Sequence, residues 1–398
     1  MDRISRRQAL AGIGLGAASV VFAACARATI SQSVASPQPS PTLTDHAAPS
    51  STPPPPSPTA TPSASATTEL TLEAKVAQML LVGFRGANLA AARGTVADIR
   101  DRGLGGVLLF DYDALTKRYD RNVRSPSQLH ALVSGLRDAA TVPLLVAIDE
   151  EGGQVDRLKA SYGFPATLSA AALGARGDPA FTRAHGKAIG RTLAGLGVGL
   201  DLAPVVDVDV NPTNPIIGAL DRSFSADPAD VAEQGRAFLD GLQAAGVAGA
   251  LKHFPGHGSS TADTHLGWVD VTPTWTAAEL GPFRDIIAAG PVDAVLVAHV
   301  FDSKLDPTYP ASLSTSVITG MLRDDLGFDG VVISDDLQMG AIRSAFGYET
   351  AVERAILAGT DILTIANQQV YEADIVARTI GVVMDAVAAG REIGRAHV

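Results

Sequence analysis

Gly246-Val-Ala-Gly-Ala-Leu251, followed at once by Lys252-His-Phe-Pro-Gly-His-Gly-Ser-Ser-Thr-Ala-Asp-Thr-His265, joins a short apolar run to a long polar loop. The run is bounded by glycine, too short for a helix and apolar at successive positions, as a parallel strand buried on both faces would be. The loop holds Lys252, Asp263 and three histidines, His253, His257 and His265, and is stiffened by Pro255, Gly256 and Gly258. In α/β proteins the carboxyl ends of parallel strands house the chemistry, so a polar loop here predicts both a fold and a site. One histidine would read as ordinary polar surface. A Lys-His pair together with Asp-x-His in one loop reads as a site.

The same pattern recurs along the chain. Apolar runs lie at Met79–Phe84, Gly106–Phe110, Leu144–Asp149, Gly199–Asp207, Val247–His253, Ala294–His299, Val331–Asp335 and Ile362–Asn367, with helix-length segments between them. Ser125-Pro-Ser-Gln128 and Thr276-Ala-Ala-Glu279 both fit a capping box, the first with proline at the first helical position. Eight β-α units within residues 69–398 predict a single (β/α)8 barrel of the TIM type, an α/β fold with extended loops. Periodicity alone leaves an open doubly wound sheet as the runner-up. Six runs end in a polar residue, Asp149, Asp207, His253, His299, Asp335 or Asn367, and on a barrel these ends would share one rim.

Five ordered motifs join the 251–265 segment: Asp149-Glu-Glu-Gly-Gly-Gln-Val-Asp-Arg157, Leu202-Ala-Pro-Val-Val-Asp207, Arg222-Ser-Phe224, Ala298-His299 and Ser334-Asp-Asp-Leu-Gln-Met339. Together they resemble glycoside hydrolase family 3, in its bacterial β-N-acetylglucosaminidase branch, from about Leu70 to about Asn367. The resemblance implies a retaining exo-β-N-acetylglucosaminidase, with no cofactor and no metal. Cell-wall fragments of the GlcNAc-MurNAc type are the substrate expected.

Retaining glycosidases need a carboxylate nucleophile beneath the anomeric carbon and a proton donor at the leaving oxygen. By resemblance the nucleophile is Asp335 rather than Asp336, which is expected to cap a helix beginning near Leu337. The donor implied is His265, with Asp263 two residues earlier to fix its tautomer and stabilise its charged form. Sugar binding is assigned to Asp149, Arg157, Arg222, Lys252 and His253, and His299 is expected to line the same pocket. His257 is expected to brace the loop. Two features depart from the family pattern. The segment Ile217–Arg222 is longer by about two residues, and Gln154 stands where arginine is common.

The N-terminus reads as an export signal over residues 1–24. Ser5-Arg6-Arg7 precedes an apolar run of small residues, Ala9 to Ala24, in the manner of a twin-arginine leader. Phe22-Ala-Ala-Cys25 resembles a lipoprotein box, so Cys25 is the expected lipidation site, on the outer face of the cytoplasmic membrane; secretion after simple cleavage is the alternative. The apolar run is short and weakly hydrophobic for a membrane span. Gly12-x-Gly14-x-Gly16 follows no strand and is no dinucleotide loop. Residues 25–68 read as a linker: from 31 to 68, Ser, Thr or Pro fill 26 of 38 positions, too polar a composition to bury a core. In pure polyproline geometry that stretch would span at most about 120 Å. Cys25 is the only cysteine, which excludes an intrachain disulfide.

A net charge of −11 with no basic stripe argues against nucleic acid. An aromatic content of 5% favours a pocket for one terminal sugar over a long glycan groove, and a monomer is expected. Three other readings stay open on the sequence. His253, His257, Asp263 and His265 could hold a metal, although Pro255 and Gly256 break the helix that i, i+4 spacing would need. A sugar-binding lipoprotein would carry the same leader and linker. A histidine donor would also let phosphate replace water, giving a phosphorylase.

Overall fold

The structure, a computed structural model, describes residues 70–391. The expected leader, Cys25 and the whole of the Ser/Thr/Pro-rich linker lie outside the described residues.

Eight strands form one parallel sheet. They are β1 (Leu80–Gly83), β2 (Gly106–Leu109), β3 (Leu145–Ile148), β4 (Leu200–Asp201), β5 (Ala248–Phe254), β6 (Ala294–Val297), β7 (Val331–Ser334) and β8 (Leu363–Ile365). They pair in sequence order, and β1 pairs with both β2 and β8. Between β7 and β8 the ring closes where Ile333 faces Ile362, with Ser334 N donating to Ile362 O and Ile362 N to Val332 O, both at 3.0 Å. An open sheet would leave two edges, so the closure decides for the (β/α)8 barrel.

Alternation along each strand builds two apolar layers. Leu81, Leu108, Ala147, Leu200, Ala250, Leu296 and Ile333 fill the barrel interior. Leu80, Val82, Val107, Val146, Ile148, Val295 and Val332 pack outward beneath the helices. Each strand is followed by a helix, and three of the long ones begin alike. In Pro126–Asp138, Pro179–Leu196 and Pro228–Gln243, proline follows a capping Ser125, Asp178 or Asp227 whose side chain accepts a first-turn amide. No described helix is long and apolar enough to cross a membrane.

Two local expectations fail. β4 is regular over only two residues, because Pro204 has no N–H to extend the ladder; the chain continues beside β5 through the Val205–Lys252 bridge. The Thr276–Glu279 capping box does not form, and the next helix is Gly281–Ala289. The Glu279 carboxylate is fully buried and accepts the Ser259 amide at 3.0 Å instead. A distant orphan N–H has displaced the local one.

Candidate active site

A cavity of about 310 Å³ opens at the carboxyl ends of the strands, near the lower end of the range for small-molecule sites. Its floor is the top of the barrel core: Leu108, Phe110, Leu202, Leu296 and Ala366. Its walls bring together Asp149, Arg157, Arg222, Lys252, His253, Asp263, His265 and Asp335, joined by Glu151, His257 and Asp336.

Asp335 directly follows β7, and its amide donates to Val297 O of β6 at 3.0 Å. Burial would raise its carboxyl, but the nearby His299, His253 and His265 hold it below its ordinary 3.8. It is therefore an anion at neutral pH. Asp336 does not cap a helix, since the next one begins at Gly340. Its Oδ1 accepts Gln338 N at 3.0 Å and Ala366 N at 2.9 Å, tying the end of β7 to the end of β8, and burial pushes its carboxyl up to about 6.

His299 is set apart from the cavity wall. It is fully buried, with Nδ1 at 2.6 Å from Ser312 Oγ and Nε2 donating to Asp336 O at 2.9 Å. Burial lowers its pKa, and the ring, bonded at both nitrogens, holds the 335–336 turn from behind and leaves no nitrogen for a sugar.

The Asp263–His265 pair is preformed. Asp263 Oδ1 lies 2.7 Å from His265 Nδ1 and also accepts the His265 amide at 2.8 Å. An ionised carboxylate only accepts, so Nδ1 carries the proton and Nε2 is the free nitrogen. Burial would lower the imidazole, yet the Asp263 hydrogen bond and the charges of Asp335 and Asp263 bring it above its ordinary 6.5. The His265 side chain remains 47% exposed, within reach of a departing group.

His257 has the geometry of a brace. Its Nδ1 lies 2.7 Å from Ser260 Oγ and its Nε2 3.3 Å from Thr264 Oγ1, so one ring spans the loop. Burial pushes it down to about 4, which keeps it neutral. Its backbone is held as well: His257 N donates to Asp207 Oδ1 at 2.8 Å, and Asn214 Nδ2 donates to His257 O at 2.7 Å.

Opposite this loop, two cations and two carboxylates interlock. Lys252 Nζ sits 2.7 Å from Asp149 Oδ1 and 2.6 Å from Glu151 Oε1. Arg222 grips Glu151 through Nε and Nη2, both at 2.7 Å, and places Nη2 3.3 Å from His253 Nε2. His253 in turn turns Nδ1 to Asp207 Oδ2 at 2.7 Å. Burial opposes the charge on Lys252, but Asp149 and Glu151 outweigh it and raise the ammonium above 10.5. Arg157 is more loosely held, 3.8 Å from Asp149, and its buried Nε has no protein partner. The longer segment before Arg222 is taken up by a short helical turn, Gly218–Leu220, and a left-handed Asp221. Gln154 turns to Asp221 at 3.3 Å.

Glu151 and Asp207 carry this architecture without having been assigned a role from the sequence. Glu151 had a usable signal, two residues beyond Asp149 and thus able to share its side of the extended chain. Asp207 stood only as a polar strand end, and its partner lies 46 positions away. The ring nitrogens of His253 and His257 are engaged as described. Among the described residues, no three His, Cys, Asp or Glu form a metal-holding group.

Residues 71–398 match the family described as the glycosyl hydrolase family 3 N-terminal domain. The chain is 36% identical to a β-hexosaminidase of Tolumonas auensis over 293 residues, covering 73% of this chain and 83% of the relative. Among solved structures it resembles a family 3 β-N-acetylglucosaminidase from Paenibacillus sp. str. FPU-7, with 36% identity and a TM-score of 0.74 over 81% of this chain and 59% of that longer one. It also resembles a β-N-acetylhexosaminidase from Beutenbergia cavernae, at 33% identity and a TM-score of 0.73, covering 82% and 94% of the two chains.

Proposed function

This chain belongs to glycosyl hydrolase family 3 and is a glycoside hydrolase of the β-N-acetylhexosaminidase type, and we propose that it releases terminal β-linked GlcNAc, with retention, from GlcNAc-MurNAc-type cell-wall fragments. One observation carries the mechanism: an ionised Asp335 and a preformed Asp263–His265 pair face the same cavity.

In the first step Asp335 attacks the anomeric carbon while protonated His265 gives its Nε2 proton to the leaving oxygen, which departs with the bonding electrons. In the second step neutral His265 takes a proton from water. The oxygen of that water displaces Asp335 from the sugar, restoring both groups. Asp263 stays ionised throughout, fixing the ring and stabilising its charge. Asp149 accepts from sugar hydroxyls, Lys252 and Arg222 donate to them, His253 holds Arg222 in place from its seat on Asp207, and Arg157 offers its free donors to the acetamido side.

Proton NMR of the first-formed product should show the β-anomer, and an α-anomer appearing first would exclude the double displacement. Comparing kcat/KM on GlcNAc-MurNAc and on a GlcNAc disaccharide tests the substrate class. Location and layout belong to the same proposal: a leader over 1–24, a linker over 25–68, and a barrel over 69–398 that acts as a monomer, held at the membrane through lipid on Cys25. Cys25→Ser should move the enzyme from the membrane to the soluble fraction, and an unchanged membrane fraction would rule out that anchor.

A further inference from the structure

The loop bearing His265 rests on the segment that follows Asp335. Gly340 opens the short helix Gly340–Arg343, five residues past Asp335. Gly340 N donates to His265 O, and Ala341 N to Thr264 O, each at 3.1 Å. A Cβ on Gly340 would lie 2.7 Å from the carbonyl carbon and oxygen of Leu266 and 2.8 Å from His265 O. These are backbone atoms, which cannot swing aside as the tip of a flexible side chain can. The φ of Gly340 lies outside the left-handed region, so space, not conformation, calls for glycine.

Side chains near the contact contribute unevenly. Leu266 is 84% exposed and cannot anchor the loop. Further on, the Trp268 ring lies 4.8 Å from Phe301 and 5.9 Å from Phe346, just beyond the same short helix. Within the loop, His257 links Ser260 to Thr264. The stretch from His257 to Trp268 is thus one braced unit, and its hydrogen bonds to the segment bearing the nucleophile are the two at Gly340 and Ala341.

We propose that Gly340 is a positioning residue for proton transfer: its missing side chain makes the seat on which the His265 loop docks, tying the proton donor to the segment bearing the nucleophile. The proposal rests on the reading of His265 as acid/base. Any side chain at 340 lifts the backbone of His265 and Leu266, and the donor leaves the glycosidic oxygen while Asp335 and the cation–carboxylate cluster stay in place.

The test is Gly340→Ala, with His265→Ala in parallel. A misplacement of about 1 Å costs on the order of 10²-fold, so kcat/KM on a GlcNAc disaccharide should fall by that factor. An aryl glycoside with a good leaving group needs little protonation and should lose far less. Its glycosyl-enzyme should accumulate, and azide, which needs no general base, should restore turnover. Ala341→Pro removes the second amide from another position and should give the same pattern. Wild-type hydrogen exchange checks the coupling without a variant: the amides of Gly340 and Ala341 should open together with residues 257–268. If His265→Ala shows the leaving-group pattern and Gly340→Ala is either wild-type-like or equally impaired on both substrates, the seat is wrong. If neither variant shows it, the acid/base assignment falls with it. Protected 340–341 amides beside a freely exchanging loop would also overturn the proposal.

Discussion

Glu151→Gln tests the buried charge cluster most severely. Lys252 is 2% exposed and Glu151 8%, so the two cations and two carboxylates balance one another with little help from water. Burial alone would raise the Glu151 carboxyl, but Arg222 and Lys252 overcome it and hold the group far below its ordinary 4.5. Glutamine keeps the shape, removes the charge and turns an amide donor toward groups that are themselves donors. Removing one partner of a buried ion pair costs about 3–5 kcal/mol, because the other charge stays behind uncompensated. With an unfolding entropy of about 2.1 cal/mol/K per residue over residues 70–391, that cost lowers Tm by roughly 4–7 °C.

Thermal and urea unfolding of both proteins at pH 7 measure the loss directly. The sign with pH follows from the depressed carboxyl. Its stabilisation is fully present above the unfolded value near 4.5 and fades as pH falls toward the folded one, so the gap between wild type and variant should narrow below pH 4.5. Adding Arg222→Met restores the charge balance, so the double variant should be more stable than the sum of the single losses by about 1–3 kcal/mol. A single-variant loss under about 1 kcal/mol, with additive behaviour in the double variant, would refute the reasoning: the cluster would then be screened like a surface pair.

Asp335→Ala should lower kcat by on the order of 10³-fold or more with an unchanged unfolding transition; wild-type-like turnover would remove Asp335 from the chemistry. Asp263→Asn takes away the group that lifts the His265 imidazole, so the basic limb of kcat/KM, where the donor loses its proton, should move to lower pH. An unmoved limb would mean that another group supplies the proton.

Much of this protein is written in short-range order. The eight apolar runs are legible because a strand buried on both faces needs consecutive apolar residues, and because each run stops where the chain turns polar at the rim. Lys252-His253 and Asp263-x-His265 are legible for a related reason: their members sit within one loop, so their proximity needs no fold to establish it. What the sequence leaves open is which partner each polar group takes. Glu279 has the spacing of a helix cap, yet it serves Ser259, 20 positions away. Asp336 sits beside Asp335 but bonds Ala366 N across the barrel closure. His299 ends a strand as the rim residues do, and only packing against Ser312 and the Asp336 carbonyl turns both its nitrogens away from the cavity. Gly340 is an unremarked glycine until the His265 loop is laid against it. Local patterning determines the strands because their burial is repeated along the chain. Hydrogen-bond partners and close backbone contacts join distant segments, so the closed barrel alone decides them.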